Sequence, residues 1–209
     1  MSEFQPWPKM ARWSRDIIVT EKIDGTNSQV LIEYVPTESE DSPNWPAKED
    51  KYRLATRYGM DGSMWGMYAG SRTHWLDTTS AGDNFGFAKW VEDNAEELFK
   101  LGKGRHFGEW WGQGIQRNYG LTEKKFSLFN ASRWYDDTVR PVCCDVVPVL
   151  YDGPMSEHEV YATLDRLRSE GSVAAPGFMS PEGVIVWHTA ANIGFKKTIE
   201  ADHQPKGQA

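Results

Sequence analysis

Two kinds of hydrophobic spacing alternate along the chain. Residues 16–22 (DIIVTEK) and 28–35 (SQVLIEYV) are rich in β-branched and apolar side chains, which is typical of strands. The small polar residues at 24–27 separate them, so we expect a tight turn there. Similar strand patterns recur at 52–58, 65–76, 105–111, 126–130, 142–150, 183–188 and 193–199. The first two of these later stretches flank a glycine turn and predict one hairpin.

Two other segments have a helical period. Across residues 84–100, apolar side chains fall on one helical face and acids on the opposite face, and Gly102 ends the pattern. Residues 155–171 form the second predicted helix, with Ser156 as N-cap and Glu159 three residues later. The order of strands and helices predicts an α+β domain with largely antiparallel sheets.

Length and composition set the outer limits. A chain of 209 residues with 39% hydrophobic and 25% charged residues predicts a single domain over 1–209. Residues 36–50 are expected to form a polar surface loop, and residues 201–209 a polar tail. No run of about 18 apolar residues and no signal-peptide core occurs, so we expect a cytoplasmic protein of a bacterial or phage-infected cell. The adjacent Cys143 and Cys144 offer no disulfide framework.

The net charge is −7 and the pI about 5.3. A protein that binds nucleic acid through many phosphates is normally basic, so any such contact here requires a local basic patch. The residues that could form one are Lys22, Arg57, Arg72, Arg105, Arg117 and Lys196.

Polar motifs recur at the ends of the predicted strands. They are EKIDGTN (21–27), SRT (71–73), FGEWWG (107–112), FSLFN (126–130), PEGVIV (181–186) and FKK (195–197). In this order, over roughly residues 16–200, they resemble the collinear motifs of the covalent nucleotidyltransferases, which include ligases and capping enzymes. The first motif ends in asparagine, as the matching motif of RNA ligases does. The SRT segment resembles that of the phage-type RNA ligase 2-like group. The resemblance implies the nucleotidyltransferase (ligase adenylation) fold, in which antiparallel sheets are flanked by helices.

The resemblance also implies a reaction. A lysine amine attacks phosphorus only when burial or nearby cations favour its neutral form, so we expect Lys22 to be shielded from water. By resemblance, Lys22 takes AMP from ATP with the help of Mg²⁺ or Mn²⁺. The AMP then passes to a 5′-phosphate end, and a 3′-hydroxyl displaces it. The function implied is ATP-dependent RNA ligation.

Site roles in the first motifs follow residue by residue from the resemblance. Asp24 and Gly25 shape the turn after the nucleophile, and Asp24 is counted with the catalytic residues. Asn27 is expected to contact the nucleotide. Arg72 is expected to contact phosphate, with Arg57 as an open alternative.

The remaining motifs supply further nucleotide contacts. Glu109 is expected to contact the ribose. Phe129 is expected to stack on adenine, with Phe126 as an open alternative.

The last two motifs carry the expected metal ligand and the final lysines. Glu182 is expected to engage the metal, because a hard oxygen ligand suits magnesium. Lys196 is expected to meet the α-phosphate as a catalytic residue. Lys197 is also assigned to nucleotide binding, although alternation along the strand directs Lys196 and Lys197 to opposite faces.

The expected partners are ATP and RNA, either as nicked duplex or as single-stranded ends, with DNA as an open alternative. A helper protein is a further expectation, because few residues follow the last motif. Trp110, Trp111 and Tyr119 are candidates for stacking unpaired bases. Three competing hypotheses are a minimal DNA ligase, a capping-type guanylyltransferase and a catalytically inactive nucleotide-binding relative.

Overall fold

A computed structural model of the protein describes residues 3–36, 51–200 and 202. The predicted loop and tail therefore lie outside the described residues, apart from Pro36 and Asp202. The strands within them are β1 (Asp16–Lys22), β2 (Thr26–Val35), β3 (Arg53–Tyr58), β4 (Met64–Ser71), β5 (Gly104–Gly112), β6 (Lys124–Leu128), β7 (Cys144–Val146), β8 (Val149–Pro154), β9 (Gly183–His188) and β10 (Ile193–Thr198). The helices are α1 (Phe87–Asp93), α2 (Ala95–Leu98), α3 (Ala131–Trp134), α4 (Glu157–Glu170) and a 3₁₀ helix (Phe99–Leu101).

The chain divides into two compact units. Unit 1 consists of Met1–Ile23 and Pro148–Ala209, and unit 2 of Asp24–Val147. The single domain over 1–209 stays a prediction. The predicted α+β class with mostly antiparallel sheets is confirmed. No helix in the described part of the chain is long and apolar enough to cross a membrane.

Unit 1 is a four-stranded antiparallel sheet with one helix against it. The strand order is β10-β9-β1-β8. Helix α4 begins after Ser156, whose hydroxyl accepts a hydrogen bond from the Glu159 backbone N–H at 3.3 Å, as its capping pattern predicts. The core between helix and sheet consists of Ile17, Val19, Val160, Leu164, Leu167, Val184 and Val186.

Unit 2 is a six-stranded sheet in the order β3-β4-β2-β5-β6-β7. Its pairs are antiparallel except β6–β7, and the predicted β3–β4 hairpin is confirmed. Aromatic rings fill its core, where Phe87 from α1 lies 5.0 Å from Phe126 and 5.4 Å from Trp110 between ring centroids. Large rings bury much apolar area at few positions, which suits a sheet covered by short helices.

The continuous helix predicted over residues 84–100 is wrong. Asn94 interrupts it between α1 and α2. The Trp90 carbonyl accepts two hydrogen bonds from Asn94, one from its side-chain amide at 2.8 Å and one from its backbone N–H at 3.0 Å. Asparagine side chains compete for backbone groups in this way, and the apolar period does not reveal the break.

The single strand predicted over residues 142–150 is also wrong. This stretch contains β7, which pairs with β6 in unit 2, and the start of β8, which pairs with β1 in unit 1. Pro148 separates them and has no N–H to donate to a ladder, while its carbonyl accepts from the Glu21 N–H at 3.0 Å. The apolar run therefore crosses from one sheet to the other.

Candidate active site

Lys22 ends strand β1 of unit 1 and contacts a buried carboxylate. The register of β1 and β9 places Lys22 opposite Gly183, so Glu182, the residue before β9, lies beside it. Lys22 Nζ is 2.5 Å from Glu182 Oε2. The two side chains are 17% and 5% exposed, so the expected shielding of Lys22 from water is present. Two motifs separated by 160 positions meet here.

The two lysines of the last motif lie on opposite faces of the unit 1 sheet. Lys196 is opposite Ile185, which in turn is opposite Thr20, so Lys196 shares the face of β1 that carries Lys22. Lys197 lies on the other face, where its Nζ is 4.9 Å from the Tyr161 ring centroid of α4.

Lys197 also forms an ion pair. Its Nζ lies 3.0 Å from Asp202 Oδ2, and this hydrogen bond raises the pKa of Lys197 above its usual value. The geometry therefore favours Lys196 over Lys197 as the lysine on the Lys22 face. Both nucleotide roles stay predictions.

Glu21 is a site-positioning residue that sequence reasoning missed. It is 1% exposed and points to the face opposite Lys22. Its carboxylate accepts from the Ser172 hydroxyl at 2.6 Å and from the Val173 and Ala174 backbone N–H groups at 2.8 and 2.9 Å. These bonds fix the end of β1 to residues 172–174. No sequence signal near Glu21 identifies those partners, because they lie about 150 positions away.

Gly25 is packed against strand β5 of unit 2. A Cβ atom at this position would lie 2.4 Å from the Trp110 carbonyl oxygen and 2.7 Å from Trp111 Cβ. The Gly25 N–H donates to Glu109 Oε1 at 3.0 Å. The glycine of the first motif is therefore required by close approach of two backbones, and Glu109 is fixed to the same turn.

Asp24 is held by the loop that follows β5. Its backbone N–H donates to the Tyr119 hydroxyl at 2.7 Å, and Arg117 Nε donates to Asp24 Oδ2 at 3.1 Å. The loop contains three non-glycine residues with positive φ, Gln116, Asn118 and Tyr119. Such conformations cost energy and persist only where the surroundings impose them. Tyr119 and Arg117 thus support the turn, a role that the sequence did not indicate.

The suggestion that Trp110, Trp111 and Tyr119 stack unpaired bases is wrong. All three side chains are buried. Trp111 and Tyr119 pack edge to face with ring centroids 4.9 Å apart, and Trp111 Nε1 donates to Ser127 Oγ at 2.9 Å. Trp110 belongs to the core of unit 2, and Trp111 and Tyr119 are buried against each other, so none of the three presents an exposed face to a base.

Three predicted nucleotide contacts share one face of the unit 2 sheet. Asn27 is opposite Glu109, which is opposite Ser127 on β6. Phe129 follows two positions after Ser127, and its N–H donates to the Phe107 carbonyl at 2.9 Å. Alternation along the strands therefore directs Asn27, Glu109 and Phe129 to the same side.

Burial separates the two candidates for the adenine-stacking ring. Phe126 is 0% exposed and packs in the core, whereas Phe129 is 39% exposed. A small cavity of about 140 Å³ beside Phe129 is lined by Arg105, His106, Phe107, Asn130, Arg133 and Trp134. Only Phe129 of the pair has a face that a base could reach.

The register also separates the two arginine candidates. Arg72 directly follows Ser71, which is opposite Ser28 at the start of β2. Arg57 is opposite Trp65, which is level with Tyr34 near the end of β2. The two arginines therefore lie at opposite ends of the sheet, and Arg72 lies at the end that carries Asn27. The local basic patch expected from the sequence therefore cannot contain both Arg57 and Arg72.

No group of three or more His, Cys, Asp or Glu side chains within residues 3–36, 51–200 and 202 could hold a metal ion. Magnesium generally keeps several waters and uses one or two carboxylates together with substrate phosphates. Glu182 offers one such carboxylate beside Lys22. This residue set fits a divalent cation that binds together with a nucleotide.

Each unit carries part of the predicted set. Unit 1 contains Lys22, Glu182, Lys196 and Lys197, and unit 2 contains Asp24, Gly25, Asn27, Arg72, Glu109 and Phe129. A shielded lysine at the end of β1 and a glutamate that precedes β9 agree with the motif order of the nucleotidyltransferases. The chain belongs to the RNA ligase family, whose sequence model matches residues 15–198.

Solved structures with this fold include a Naegleria gruberi RNA ligase in several states. An arginine-to-alanine variant with ATP and Mn gives a TM-score of 0.56 at 17% identity, covering 90% of this chain and 51% of that chain. A lysine-to-methionine variant with AMP and Mn gives 0.54 at 17% identity, with coverages of 89% and 50%. The same ligase with pyrophosphate gives 0.52 at 16% identity, with coverages of 88% and 50%.

These likenesses establish the fold, and the chain spans about half the length of the solved ligases that it matches. A search of curated protein sequences found no significant match.

Proposed function

We propose that the protein is an ATP-dependent RNA ligase, which joins 5′-phosphate and 3′-hydroxyl ends through an adenylyl group carried on Lys22. The main support is the contact between Lys22 and Glu182 at 2.5 Å. A lysine in an ordinary surface turn is solvated, whereas Lys22 is largely shielded from water and contacts a buried carboxylate from a distant segment. Membership of the RNA ligase family supplies the substrate class.

In the first step, Lys22 Nζ loses a proton to solvent and attacks the α-phosphorus of ATP. An N–P bond forms, the bond between the α-phosphorus and the bridging oxygen breaks, and pyrophosphate leaves. In this proposal Glu182 fixes the position of Nζ for the attack, and Lys196, which shares the sheet face of Lys22, is assigned to the α-phosphate. Solved structures of similar fold hold ATP or pyrophosphate, which are the substrate and the leaving group of such a step.

Two further displacements complete the reaction. A 5′-phosphate oxygen of RNA attacks the adenylyl phosphorus, so that the N–P bond breaks and Lys22 is regenerated. A 3′-hydroxyl then attacks the 5′-phosphorus of the adenylylated end, the phosphodiester bond forms, and AMP leaves with the displaced oxygen. Each step exchanges one bond to phosphorus for another and requires no oxidant or reductant.

The remaining proposed residues bind the nucleotide. Gly25 in the turn and Asn27 at the start of β2 are assigned to it, with Glu109 at the ribose, Phe129 at the base and Arg72 at phosphate. Lys197 is retained from the last motif. A divalent cation, Mg²⁺ or Mn²⁺, would be held by Glu182 and would offset the charge of the leaving pyrophosphate when bound. Mn accompanies the nucleotide in both of the nucleotide-bound ligase structures described above.

The proposal includes the cellular setting and the kind of RNA end. The free thiols Cys143 and Cys144 suit a reducing cytoplasm, bacterial or phage-infected. Nicked duplexes and single-stranded ends are both proposed substrates, and a helper protein stays a prediction.

The test is a two-stage labelling experiment. Protein incubated with α-labelled ATP and Mg²⁺ is expected to retain label after denaturation, whereas α-labelled GTP should give none. Addition of 5′-phosphorylated RNA should then transfer the label to RNA, and sealed product should follow. Transfer to DNA but not RNA, or labelling by GTP alone, would contradict the proposal, and Lys22→Ala should remain unlabelled throughout.

A further inference from the structure

The N-terminal segment before β1 exposes an unusual set of side chains. Phe4, Trp7, Met10 and Trp13 are 86%, 84%, 80% and 69% exposed, and every described residue from 3 to 16 is exposed. Large apolar side chains that stay this accessible over a contiguous stretch mark an interaction surface. We call residues 4–15 the N-terminal arm.

The apolar residues of the arm recur every third position. A polyproline II helix has three residues per turn and rises about 3.1 Å per residue, so in that conformation this spacing would bring all four side chains to one face. Pro6 and Pro8 fix φ near the polyproline II value and exclude an α-helix through this stretch. Successive apolar side chains would then be about 9 Å apart, each able to contact a separate base.

Cations lie between these side chains. The arm contains Lys9, Arg12 and Arg15 and no acid, so it carries +3 in a chain of net charge −7, and the other residues together carry −10. Within the described residues, none of the three cations forms an ion pair with an acidic side chain. Aromatic rings alternating with unpaired cations are the combination that binds unpaired nucleic acid.

The arm is fixed to unit 1 at its end. The Trp13 carbonyl accepts from His188 Nε2 at 3.0 Å, and the Arg15 carbonyl accepts from the Met155 N–H at 3.1 Å. Trp13 also lines a groove of about 360 Å³ together with Tyr161, Phe195 and Lys196. The same groove contains the acids Glu157 and Asp202, so the arm continues into an aromatic groove whose lysines are matched by carboxylates.

We infer that the N-terminal arm binds an unpaired RNA strand, with its rings stacked on bases and its cations on phosphates. This inference rests on the proposed function, since it assigns a binding surface for the same substrate. A membrane-surface anchor would combine similar residues, but such anchors are amphipathic helices, which Pro6 and Pro8 exclude.

The position of the arm sets a length requirement. Lys22 lies seven residue steps after Arg15, the last residue of the arm, which is about 23 Å along β1 at roughly 3.3 Å per residue. An RNA that reacts at Lys22 and contacts the arm must span that distance. We therefore expect oligonucleotides of two or three residues to gain nothing from the arm, and longer strands to gain affinity.

The test measures binding of a labelled, single-stranded 5′-phosphorylated RNA of about 20 nucleotides by fluorescence anisotropy, with wild type and the Phe4→Ala, Trp7→Ala variant. Loss of two stacked contacts should raise Kd at least about 25-fold, since each stacked base is worth about 1–3 kcal/mol. A second variant, Lys9→Gln with Arg12→Gln, should flatten the salt dependence by about 0.7 per lost phosphate contact. Tyr135→Ala, at an 82% exposed ring elsewhere, is the matched control and should bind as wild type does.

Unchanged RNA affinity in both arm variants overturns the inference. So does a defect confined to binding of phosphatidylserine vesicles, measured with the same variants, because the arm would then contact lipid. Labelling with ATP is measured separately in wild type. Absence of labelling there contradicts the proposed function, whereas the anisotropy result decides the role of the arm by itself.

Discussion

Unit 1 and unit 2 hold their shares of the candidate site by different means. Both buried carboxylates among the described residues, Glu21 and Glu182, lie in unit 1, one on each side of the end of β1. In unit 2 the buried polar residues are serines and His106, and the turn at Gly25 is fixed by backbone contact with β5. Buried carboxylates hold the end of β1 that carries the proposed nucleophile, whereas the turn in unit 2 is held by close backbone packing at Gly25 together with the less buried Asp24–Arg117 ion pair. Removal of a buried carboxylate should therefore be the damaging change in unit 1, and an added side chain at Gly25 the damaging change in unit 2.

Glu182→Ala should give the largest effect. It removes the carboxylate that contacts Lys22 Nζ and that would hold the divalent cation. We expect the rate of covalent labelling by ATP to fall about 100- to 1,000-fold, as for loss of a preorganised electrostatic partner. Single-turnover labelling kinetics with Mg²⁺ measure this. A rate within a few-fold of wild type would remove Glu182 from the site, and Glu170→Ala is the control at an exposed glutamate of unit 1.

Glu21→Ala should destabilise the protein without touching the Lys22 face. It leaves the Ser172 hydroxyl and the Val173 and Ala174 N–H groups without their acceptor. Buried donors left without a partner cost about 1–3 kcal/mol each, so we expect the free energy of unfolding to fall by about 3 kcal/mol. Urea denaturation measures the change. Stability equal to that of Glu170→Ala would show that charge does not hold this end of β1.

Gly25→Ala tests the steric side of the comparison. The new Cβ would meet the Trp110 carbonyl at 2.4 Å, and backbone cannot move aside as a flexible side chain can. We expect a loss of about 1–3 kcal/mol in the free energy of unfolding. Gly194→Ala is the control, because its nearest contact is the Trp187 side chain at 3.3 Å. Equal stability of the two variants would contradict the close approach.

Arg72→Ala and Arg57→Ala form a matched pair within one sheet. Loss of a charged phosphate contact should raise the KM for ATP about 10-fold in Arg72→Ala. Arg57 lies over the Phe99 ring at 5.1 Å, so its removal should cost under about 1 kcal/mol of stability and leave KM unchanged. The opposite ranking in a labelling titration would reverse the assignment made from the register.

The smallest effect concerns His106 in unit 2. Burial lowers the pKa of His106 below its usual value, and its Nε2 lies 2.9 Å from the Gly102 carbonyl. The unfolded chain then binds a proton more readily, so stability is complete above about pH 6.5 and declines as the pH falls from there towards the folded-state pKa. The decline should stay below about 1.4 kcal/mol per pH unit. Urea midpoints of His106→Gln at pH 7.5 and 5.5 should differ less than those of wild type, and an equal difference would contradict this origin.

Local sequence patterns predict what depends on neighbours along the chain. Alternation along β10 correctly separates Lys196 from Lys197, and Ser156 correctly marks the start of α4. The motif order correctly indicates the family. None of these predictions requires knowledge of distant contacts.

The missed features depend on contacts between distant segments. Glu21 acts on residues about 150 positions away, and Tyr119 holds Asp24 across 95 positions. Trp111 looks like a ligand-stacking ring in the sequence and is buried in the structure. The choice between Arg57 and Arg72 likewise requires the strand register. Such pairings are set by tertiary packing, which a single sequence does not display.

The central claim is that Lys22 carries the adenylyl group. Its most direct test is mass spectrometry of the protein after incubation with ATP and Mg²⁺, followed by peptide mapping. The account predicts a single adenylyl group, attached through nitrogen in the peptide that contains Lys22 and absent from Lys22→Ala. An adenylyl group mapped to any other residue, or one of equal yield in Lys22→Ala, would contradict it.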